Sequence, residues 1–190
     1  MNYVPPIKDK TKIEQMKAAL LGQSYRNYVI FTLAINYGRR ISDILEMRVS
    51  DVRGKEYFSV REDKTGKKIP IKVNREVTEM LESYCKDMAD DQWLFPSKKR
   101  SSEYPADSMG HTPISRIQVW RDLKEAAAEC GIDDIGTHSL RKTFGYWLYK
   151  TTNDLALVQK IFGHRTQLDT LRYIGMEQEY IDSATAALVL

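Results

Sequence analysis

Apolar side chains recur every three or four positions along most of this 190-residue chain, which is the spacing of an amphipathic helix. The clearest example opens with Ser24 as an N-cap and ends at Gly38. Thr11 and Glu14 have the spacing of a capping box that opens the helix before it. The same signals predict helices over 11–22, 24–38, 41–47, 74–88, 113–130, 139–150, 154–162, a short stretch ending at 173, and 177–189.

The period changes to two in one part of the chain, where β-branched and aromatic residues prevail. Residues 55–61 and 67–73 are predicted as strands joined by a turn that contains Gly66. The expected fold class is therefore mainly α with a small antiparallel β-sheet (α+β). The polar stretch 97–110 is predicted as a mobile surface loop.

The length of the chain fits one well-buried domain. Pro5 and Pro6 disfavour helix, so residues 1–10 are predicted as an extended lead-in and residues 11–190 as the domain. The sequence has no apolar run long enough to cross a membrane and no signal-peptide core at its start. We therefore expect a cytoplasmic protein without membrane contacts. Two cysteines without Cys-x-x-Cys spacing fit buried thiols in a reducing compartment.

Basic residues are bunched along the chain, although the net charge is only +3. The bunches lie at 39–40, 64–68, 98–100 and 141–142, and they suit a polyanionic partner. The sequence has no Asp-x-Asp pair and no cluster of His, Cys and carboxylates at ligand spacing, so a dedicated metal site is not expected. Arginine is an alternative way to stabilise a phosphate, because its planar fork matches two phosphate oxygens.

Six residues would together hold a phosphodiester and attack it: Arg40, Lys64, His138, Arg141, His164 and Tyr173. His138 and Arg141 stand three apart at a predicted helix start, so they share a face. Asp43 stands three residues after Arg40 and would brace an arginine or a histidine. Tyr173 needs nearby cations or a base to become a nucleophile, since the unperturbed pKa of tyrosine is about 10.

Each of these residues also has an ordinary structural explanation. An Arg–Asp pair at helix spacing on a surface contributes well under about 1 kcal/mol. A lysine in a turn is usually exposed, and Tyr173 is one of 11 tyrosines. Neighbouring residues compete for two of the roles, Arg39 with Arg40, and Lys67 or Lys68 with Lys64.

The order of these motifs resembles the catalytic domain of tyrosine recombinases, the phage integrase family. Residues 38–45 (GRRISDIL) look like its first arginine motif, residues 64–66 like its lysine turn, and residues 137–144 (THSLRKTF) like its second arginine motif. The nine residues from His164 to Tyr173 match the family's spacing between histidine and nucleophile. The resemblance extends from about residue 11 to the end of the chain. Two residues depart from it, since position 39 is usually apolar and position 142 is often histidine.

The resemblance implies site-specific DNA recombination, by integration or excision, through a 3′-phosphotyrosyl intermediate. Tyr173 would attack the scissile phosphate, and Arg40 and Arg141 would hold its non-bridging oxygens. Lys64 would protonate the leaving 5′-oxygen. No metal, ATP or other cofactor is expected, because the covalent intermediate keeps the energy of the broken bond.

His138 would help to take the tyrosine proton, His164 would donate a hydrogen bond to the phosphate, and Asp43 would support them from behind. The implied partners are double-stranded DNA, further copies in a tetrameric synapse that docks through the C-terminal helix, and accessory DNA-bending proteins. The family usually has an N-terminal core-binding domain, which is expected to be absent here, as nothing before Thr11 resembles it. Two alternatives stay open, a type IB topoisomerase-like enzyme and a non-catalytic DNA-binding protein of the same fold.

Overall fold

A computed structural model describes residues 4–59, 70–97 and 112–186 of the chain. Within these ranges the helices are α1 Lys10–Gln23, α2 Tyr25–Tyr37, α3 Ile41–Leu45, α4 Arg75–Tyr84, α5 Arg116–Glu129, α6 Thr137–Thr152, α7 Leu155–Phe162, α8 Gln167–Tyr173 and α9 Glu177–Ala186. A short 3₁₀ helix at Val49–Asp51 and two strands, β1 Tyr57–Phe58 and β2 Ile71–Lys72, lie between α3 and α4. The predicted fold class, mainly helical with a small antiparallel sheet, is confirmed.

Side-chain caps set several helix starts where the sequence predicts them. Ser24, Asn74 and Asp154 each accept a hydrogen bond from the backbone N–H three residues later. Gly38 and Gly163 end α2 and α7 with φ angles of 67° and 68°. This left-handed conformation is one that glycine adopts without steric cost, which explains why both helices stop there.

Three predicted helix starts are wrong by one to three residues. Helix α5 begins at Arg116, after the Ser115 N-cap, rather than at 113. Helix α1 begins at Lys10 because the Asp9 side chain accepts a hydrogen bond from the N–H of Thr11 (2.7 Å), so Thr11 is not its cap. Helix α6 begins at Thr137 rather than Ser139, and the N–H of Gly136 donates to the Ser139 hydroxyl (3.2 Å). The earlier start of α6 places His138 inside the helix.

The predicted end of α4 near Met88 is also wrong, since the helix stops at Tyr84. The guanidinium group of Arg53 donates to the carbonyl oxygens of Cys85 (2.5 Å) and Met88 (2.6 Å). Arg53 thus takes the place of the backbone N–H groups that would bond to these carbonyl oxygens if the helix continued.

Strands β1 and β2 pair antiparallel, with Tyr57 opposite Lys72 and Phe58 opposite Ile71. Phe58 and Ile71 are buried while their neighbours Tyr57 and Lys72 are exposed, which is the alternation of a half-buried sheet. Both strands are shorter, among the described residues, than the predicted 55–61 and 67–73. The predicted turn with Lys64 and most of the predicted loop 97–110 lie outside the described residues.

The buried apolar side chains form two clusters. The larger cluster includes side chains of α1–α5, both strands and the start of α6. The smaller one lies between α6, α7 and α8 and consists of Tyr146, Tyr149, Val158, Phe162, Leu171, Ile174 and Met176. Helix α6 belongs to both, since it contributes Leu140 to the larger cluster and two tyrosines to the smaller one. We call these the large core and the small core.

Gly145 lets α6 come close to the small core. A Cβ atom at this position would lie 2.6 Å from Cε2 of Phe162 and 2.8 Å from Cγ2 of Ile174. Such distances are shorter than van der Waals contact, so only glycine fits without a shift of its neighbours. Among the described residues, the structure has no helix long and apolar enough to span a membrane.

Candidate active site

Arg40 and Arg39 have opposite surroundings although they are adjacent. Arg39 is 1% exposed, and its guanidinium carbon lies 5.7 Å from the centre of the Tyr37 ring. The side chain of Arg40 is 28% exposed, and its Nη1 lies 4.0 Å from Oδ2 of the buried Asp43. Arg40 lines a polar cleft, whereas Arg39 is packed in the protein interior. The geometry therefore favours Arg40 over Arg39 as the arginine available to a ligand.

His138 and Arg141 reach the same cleft from the N-terminal end of α6. The cleft is lined by Arg40, Ile41, Ser42, Arg116, Thr137, His138 and Arg141. His138 is exposed, while Arg141 is buried with only 3% of its surface exposed. Two motifs almost a hundred residues apart in the sequence thus supply cations to one cleft.

Arg141 is fixed by the end of α7. Its Nη2 donates a 3.1 Å hydrogen bond to the carbonyl oxygen of Phe162. Its guanidinium carbon also lies 4.5 Å from the centre of the Phe162 ring, which is a cation–π distance. The fork is therefore oriented before any ligand binds, and it needs little reorganisation to hold a phosphate.

His164 and Tyr173 lie next to each other in the small-core half of the molecule. Their ring centres are 5.0 Å apart with an interplanar angle of 71°. Phe162 meets both rings edge-on, with centres 5.4 Å from each. The left-handed Gly163 turns the chain between α7 and His164, and Thr166 caps α8, which carries Tyr173 at its last residue.

Burial and the neighbouring cations both shift the pKa values of Tyr173 and His164. Burial raises the pKa of the Tyr173 phenol, and the charges of Arg141 and Arg40 and a hydrogen bond with Arg141 act in the opposite direction. Burial lowers the pKa of His164, and Arg141 lowers it further. Since Arg141 and Arg40 act on both groups, the two arginines, His164 and Tyr173 form one electrostatic site.

Although His138 reaches the surface, desolvation within the cleft lowers the pKa of its imidazole, and the charges of Arg141, Lys142, Arg116 and Arg40 lower it further. A lowered pKa leaves the imidazole neutral at pH 7, because the unperturbed value is only about 6.5. A neutral imidazole is able to accept a proton.

Five of the six predicted catalytic residues thus come together, with Asp43 behind Arg40. The sixth, Lys64, lies outside the described residues, as do its rivals Lys67 and Lys68. The arrangement combines several fixed cations, two imidazoles and one phenol. It suits the binding of a phosphodiester and attack on its phosphorus by an oxygen nucleophile.

Arg116 is a further member of the cleft that the sequence analysis missed. It is the first residue of α5, after the Ser115 N-cap, and its charge acts on His138. A cation in the first turn of a helix opposes the helix dipole, so the local pattern does not favour an arginine there. Its place in the cleft depends on how α5 packs and is not visible in the sequence.

Comparison with known proteins agrees with this geometry. The model of the phage integrase family matches residues 8–179. The chain is 41% identical over 179 residues to the probable integrase/recombinase YoeC of Bacillus subtilis (strain 168), and the match covers 94% of this chain and 93% of that protein. It is 22% identical to the tyrosine recombinase XerA of Pyrococcus furiosus, of which it spans only 61%.

Solved structures share the fold at low identity. A crystal structure of XerA recombinase matches with a TM-score of 0.75 and 19% identity, over 100% of this chain and 68% of that one. A lambda integrase tetramer bound to a Holliday junction matches with a TM-score of 0.67 and 19% identity, over 93% of this chain and 50% of that one. These likenesses show that the helical arrangement seen here is that of tyrosine recombinase catalytic domains.

Proposed function

Because this chain belongs to the phage integrase family, we propose that it recombines DNA at specific sites by cutting and rejoining strands through a bond to Tyr173. The observation that carries this proposal is that Arg40, Arg141 and His164 act on Tyr173, while His138 lines one cleft with both arginines. Charged or imidazole groups at these positions fit the needs of phosphoryl transfer, in which charge grows on the non-bridging oxygens.

In the proposed cleavage step, Oη of Tyr173 forms a bond to phosphorus while the bond from phosphorus to the 5′-oxygen breaks. The phenolic proton passes to His138, which is neutral at pH 7 because its pKa is lowered. The leaving 5′-oxygen takes a proton from Lys64. Attack by the 5′-hydroxyl of a partner strand reverses these transfers and releases the tyrosine.

Arg40 and Arg141 stabilise the transition state by holding the non-bridging oxygens. Removal of one such preorganised donor typically slows catalysis about 100- to 1,000-fold. Asp43, 4% exposed and 4.0 Å from the Arg40 guanidinium, keeps that group in the cleft. Arg141 is kept in place by the Phe162 carbonyl.

His164 is oriented for a hydrogen bond to the phosphate by Thr170. Its Nδ1 lies 3.1 Å from Oγ1 of Thr170, whose hydroxyl also lies 3.1 Å from the carbonyl of Thr166. A hydroxyl has one proton. The Thr170 hydroxyl donates that proton to the Thr166 carbonyl, so it accepts a hydrogen bond from Nδ1–H of His164. The ring then bonds to the phosphate through Nε2, which carries a proton in the imidazolium form.

The proposed assembly is a tetramer on DNA with accessory DNA-bending proteins. The lambda integrase tetramer on a Holliday junction supports it, as does the surface of α9. Tyr180 and Ile181 on this helix are 48% and 47% exposed, so they are available for contact with another copy. The apolar residues further along the chain, Ala187 and Leu188, lie outside the described residues.

A nicked suicide DNA tests the role of Tyr173. We expect the wild-type chain to form a covalent protein–DNA adduct and Tyr173→Phe to form none. Tyr25→Phe is the matched control, because Tyr25 is exposed at the start of α2 and should leave the adduct unchanged. An adduct that persists in Tyr173→Phe rejects the assignment.

The same protein preparations distinguish a recombinase from the two alternatives, a type IB topoisomerase-like enzyme and a non-catalytic DNA-binding protein. A recombinase exchanges strands between two sites, whereas a topoisomerase relaxes supercoiled plasmid without exchange. DNA binding by the wild type with no adduct on any site tested would favour a non-catalytic DNA-binding protein.

A further inference from the structure

Lys142 is a buried lysine beside the proposed nucleophile. It follows Arg141 on α6, and only 7% of its surface is exposed. Its Nζ lies 5.4 Å from the centre of the Tyr173 ring, within the range of a cation–π interaction. A lysine is rarely buried unless its ammonium group is paired, and burial lowers the pKa of this one. The burial of this lysine therefore indicates that its side chain has a structural or functional role.

One partner of this ammonium group lies in the first residues of the chain. Nζ of Lys142 donates a 2.6 Å hydrogen bond to the carbonyl oxygen of Val4. The Val4 side chain packs over Gly136, where an added Cβ would lie 3.5 Å from Cγ1 of Val4. Gly136 immediately precedes α6, so Val4 contacts the end of α6 that presents His138 and Arg141.

Residues 4–8, which we call the N-terminal segment, are fixed along their length. The N–H of Ile7 donates to the Thr143 hydroxyl (2.8 Å), and Nε1 of Trp147 donates to the Ile7 carbonyl (3.1 Å). Lys8 donates to the carbonyl of Gly175 between α8 and α9 (2.7 Å). The segment thus ties α6 to the residues that follow Tyr173.

We propose that Lys142 is a positioning residue that holds the Tyr173 ring, and that the N-terminal segment supports the active site by fixing the Lys142 ammonium group. The inference rests on the proposed function, which makes Tyr173 the nucleophile. It gives a role to Lys142 and to the N-terminal segment, which have none in the proposed function.

The geometry explains why such support matters. Phe162 and His164 meet the Tyr173 ring edge-on at 5.4 and 5.0 Å, while Lys142 contacts it as a cation. Removal of the Lys142 ammonium group leaves the ring freer to move in its site. A displacement of the reacting atoms by about 1 Å costs about 100-fold in rate.

The first test compares Lys142→Met with Lys150→Met in single-turnover cleavage of nicked suicide DNA. Both lysines lie on α6, but Lys150 is exposed and lies 4.0 Å from Glu179. We expect Lys142→Met to slow cleavage about 10- to 100-fold with DNA affinity unchanged. Lys150→Met should cleave at the wild-type rate. A merely destabilising effect would instead lower the melting temperature and the active fraction without changing the rate of the folded molecules.

The second test needs neither catalysis nor a Lys142 variant. In the free wild-type chain, NMR should show the ε-methylene protons of Lys142 shifted by the ring current of Tyr173, and Tyr173→Leu should remove that shift. Ordinary lysine shifts in the wild type would overturn the proposed contact whether or not the protein cleaves DNA.

The two readouts separate this inference from the function on which it rests. Wild-type cleavage in Lys142→Met, with no adduct in Tyr173→Phe, rejects the positioning role and keeps Tyr173 as nucleophile. A wild-type chain that forms no adduct rejects the proposed function, and the lysine shifts then decide whether Lys142 holds the ring.

Discussion

The large core and the small core contribute different parts of the candidate site. Arg40 immediately precedes α3, which packs in the large core, and Arg116 lies at the start of α5, which packs there too. His164 and Tyr173 belong to the α7–α8 region, where seven buried residues form the small core. Arg40 and Arg116 are thus built on the more extensive packing, while the proposed nucleophile Tyr173 rests on a few aromatic and aliphatic side chains.

This difference has a physical consequence for how the site can be disturbed. A substitution near the cations should abolish DNA cleavage while the fold is retained, because the surrounding core is large. A change in the small core should disturb the fold of α7 and α8 first. Helix α6 connects the two, since Arg141 bonds to Phe162 across the boundary.

The largest effect should come from the two adjacent arginines. We expect Arg40→Ala to slow single-turnover cleavage about 100- to 1,000-fold, because it removes a donor to the transition state. Arg39→Met should retain cleavage within a few-fold, since Arg39 is buried away from the cleft, although its melting temperature should fall. The opposite ranking of the two variants would move the catalytic role to Arg39.

The small core is tested by a pair of glycines. Gly145→Ala places a Cβ 2.6 Å from Phe162 and should destabilise the protein by about 1–3 kcal/mol. Gly22→Ala meets nothing within 4 Å in α1 and should be neutral or stabilise by up to about 1 kcal/mol. Thermal and urea unfolding measure both. Equal stability of the two variants would contradict the tight contact between α6 and the small core.

The smallest expected effect is a shift in the pH dependence of the cleavage rate. Because Arg116 lowers the pKa of His138, Arg116→Ala should raise it, so the imidazole protonates at a higher pH. Protonated His138 cannot take the tyrosine proton. The acid limb of the cleavage rate should therefore move to higher pH in Arg116→Ala. Arg75→Ala is the control, since Arg75 is exposed on α4 and paired with Glu79. An unchanged acid limb in Arg116→Ala would show that the base is another group.

Much of the fold was predictable because its signals are local. Ser24, Gly38, Asn74 and Gly163 act through their own backbone and side chains, so their role could be inferred without knowledge of the tertiary structure. The end of α4 was mispredicted because Arg53, more than thirty residues upstream, supplies the donor there. Long-range partners of this kind are not visible in a local pattern.

The candidate site likewise contains residues that the sequence indicates and residues that only the structure reveals. Motif order indicated Arg40, His138, Arg141, His164 and Tyr173, and the structure brings all five together. Sequence spacing could not show that Arg116 reaches the same cleft, or that Lys142 lies against the Tyr173 ring. Both depend on how distant segments pack, and the Lys142 contact also depends on Val4.

The hydrogen bond from Arg141 to the Phe162 carbonyl has a consequence for engineering. The same guanidinium group joins the two cores and serves as a proposed phosphate ligand, so stability and activity are not independent at this position. An inactive variant intended to trap uncleaved DNA should therefore keep Arg141 and lose only the Tyr173 hydroxyl. A variant library that aims at a more heat-resistant enzyme should likewise leave this arginine fixed and vary residues elsewhere.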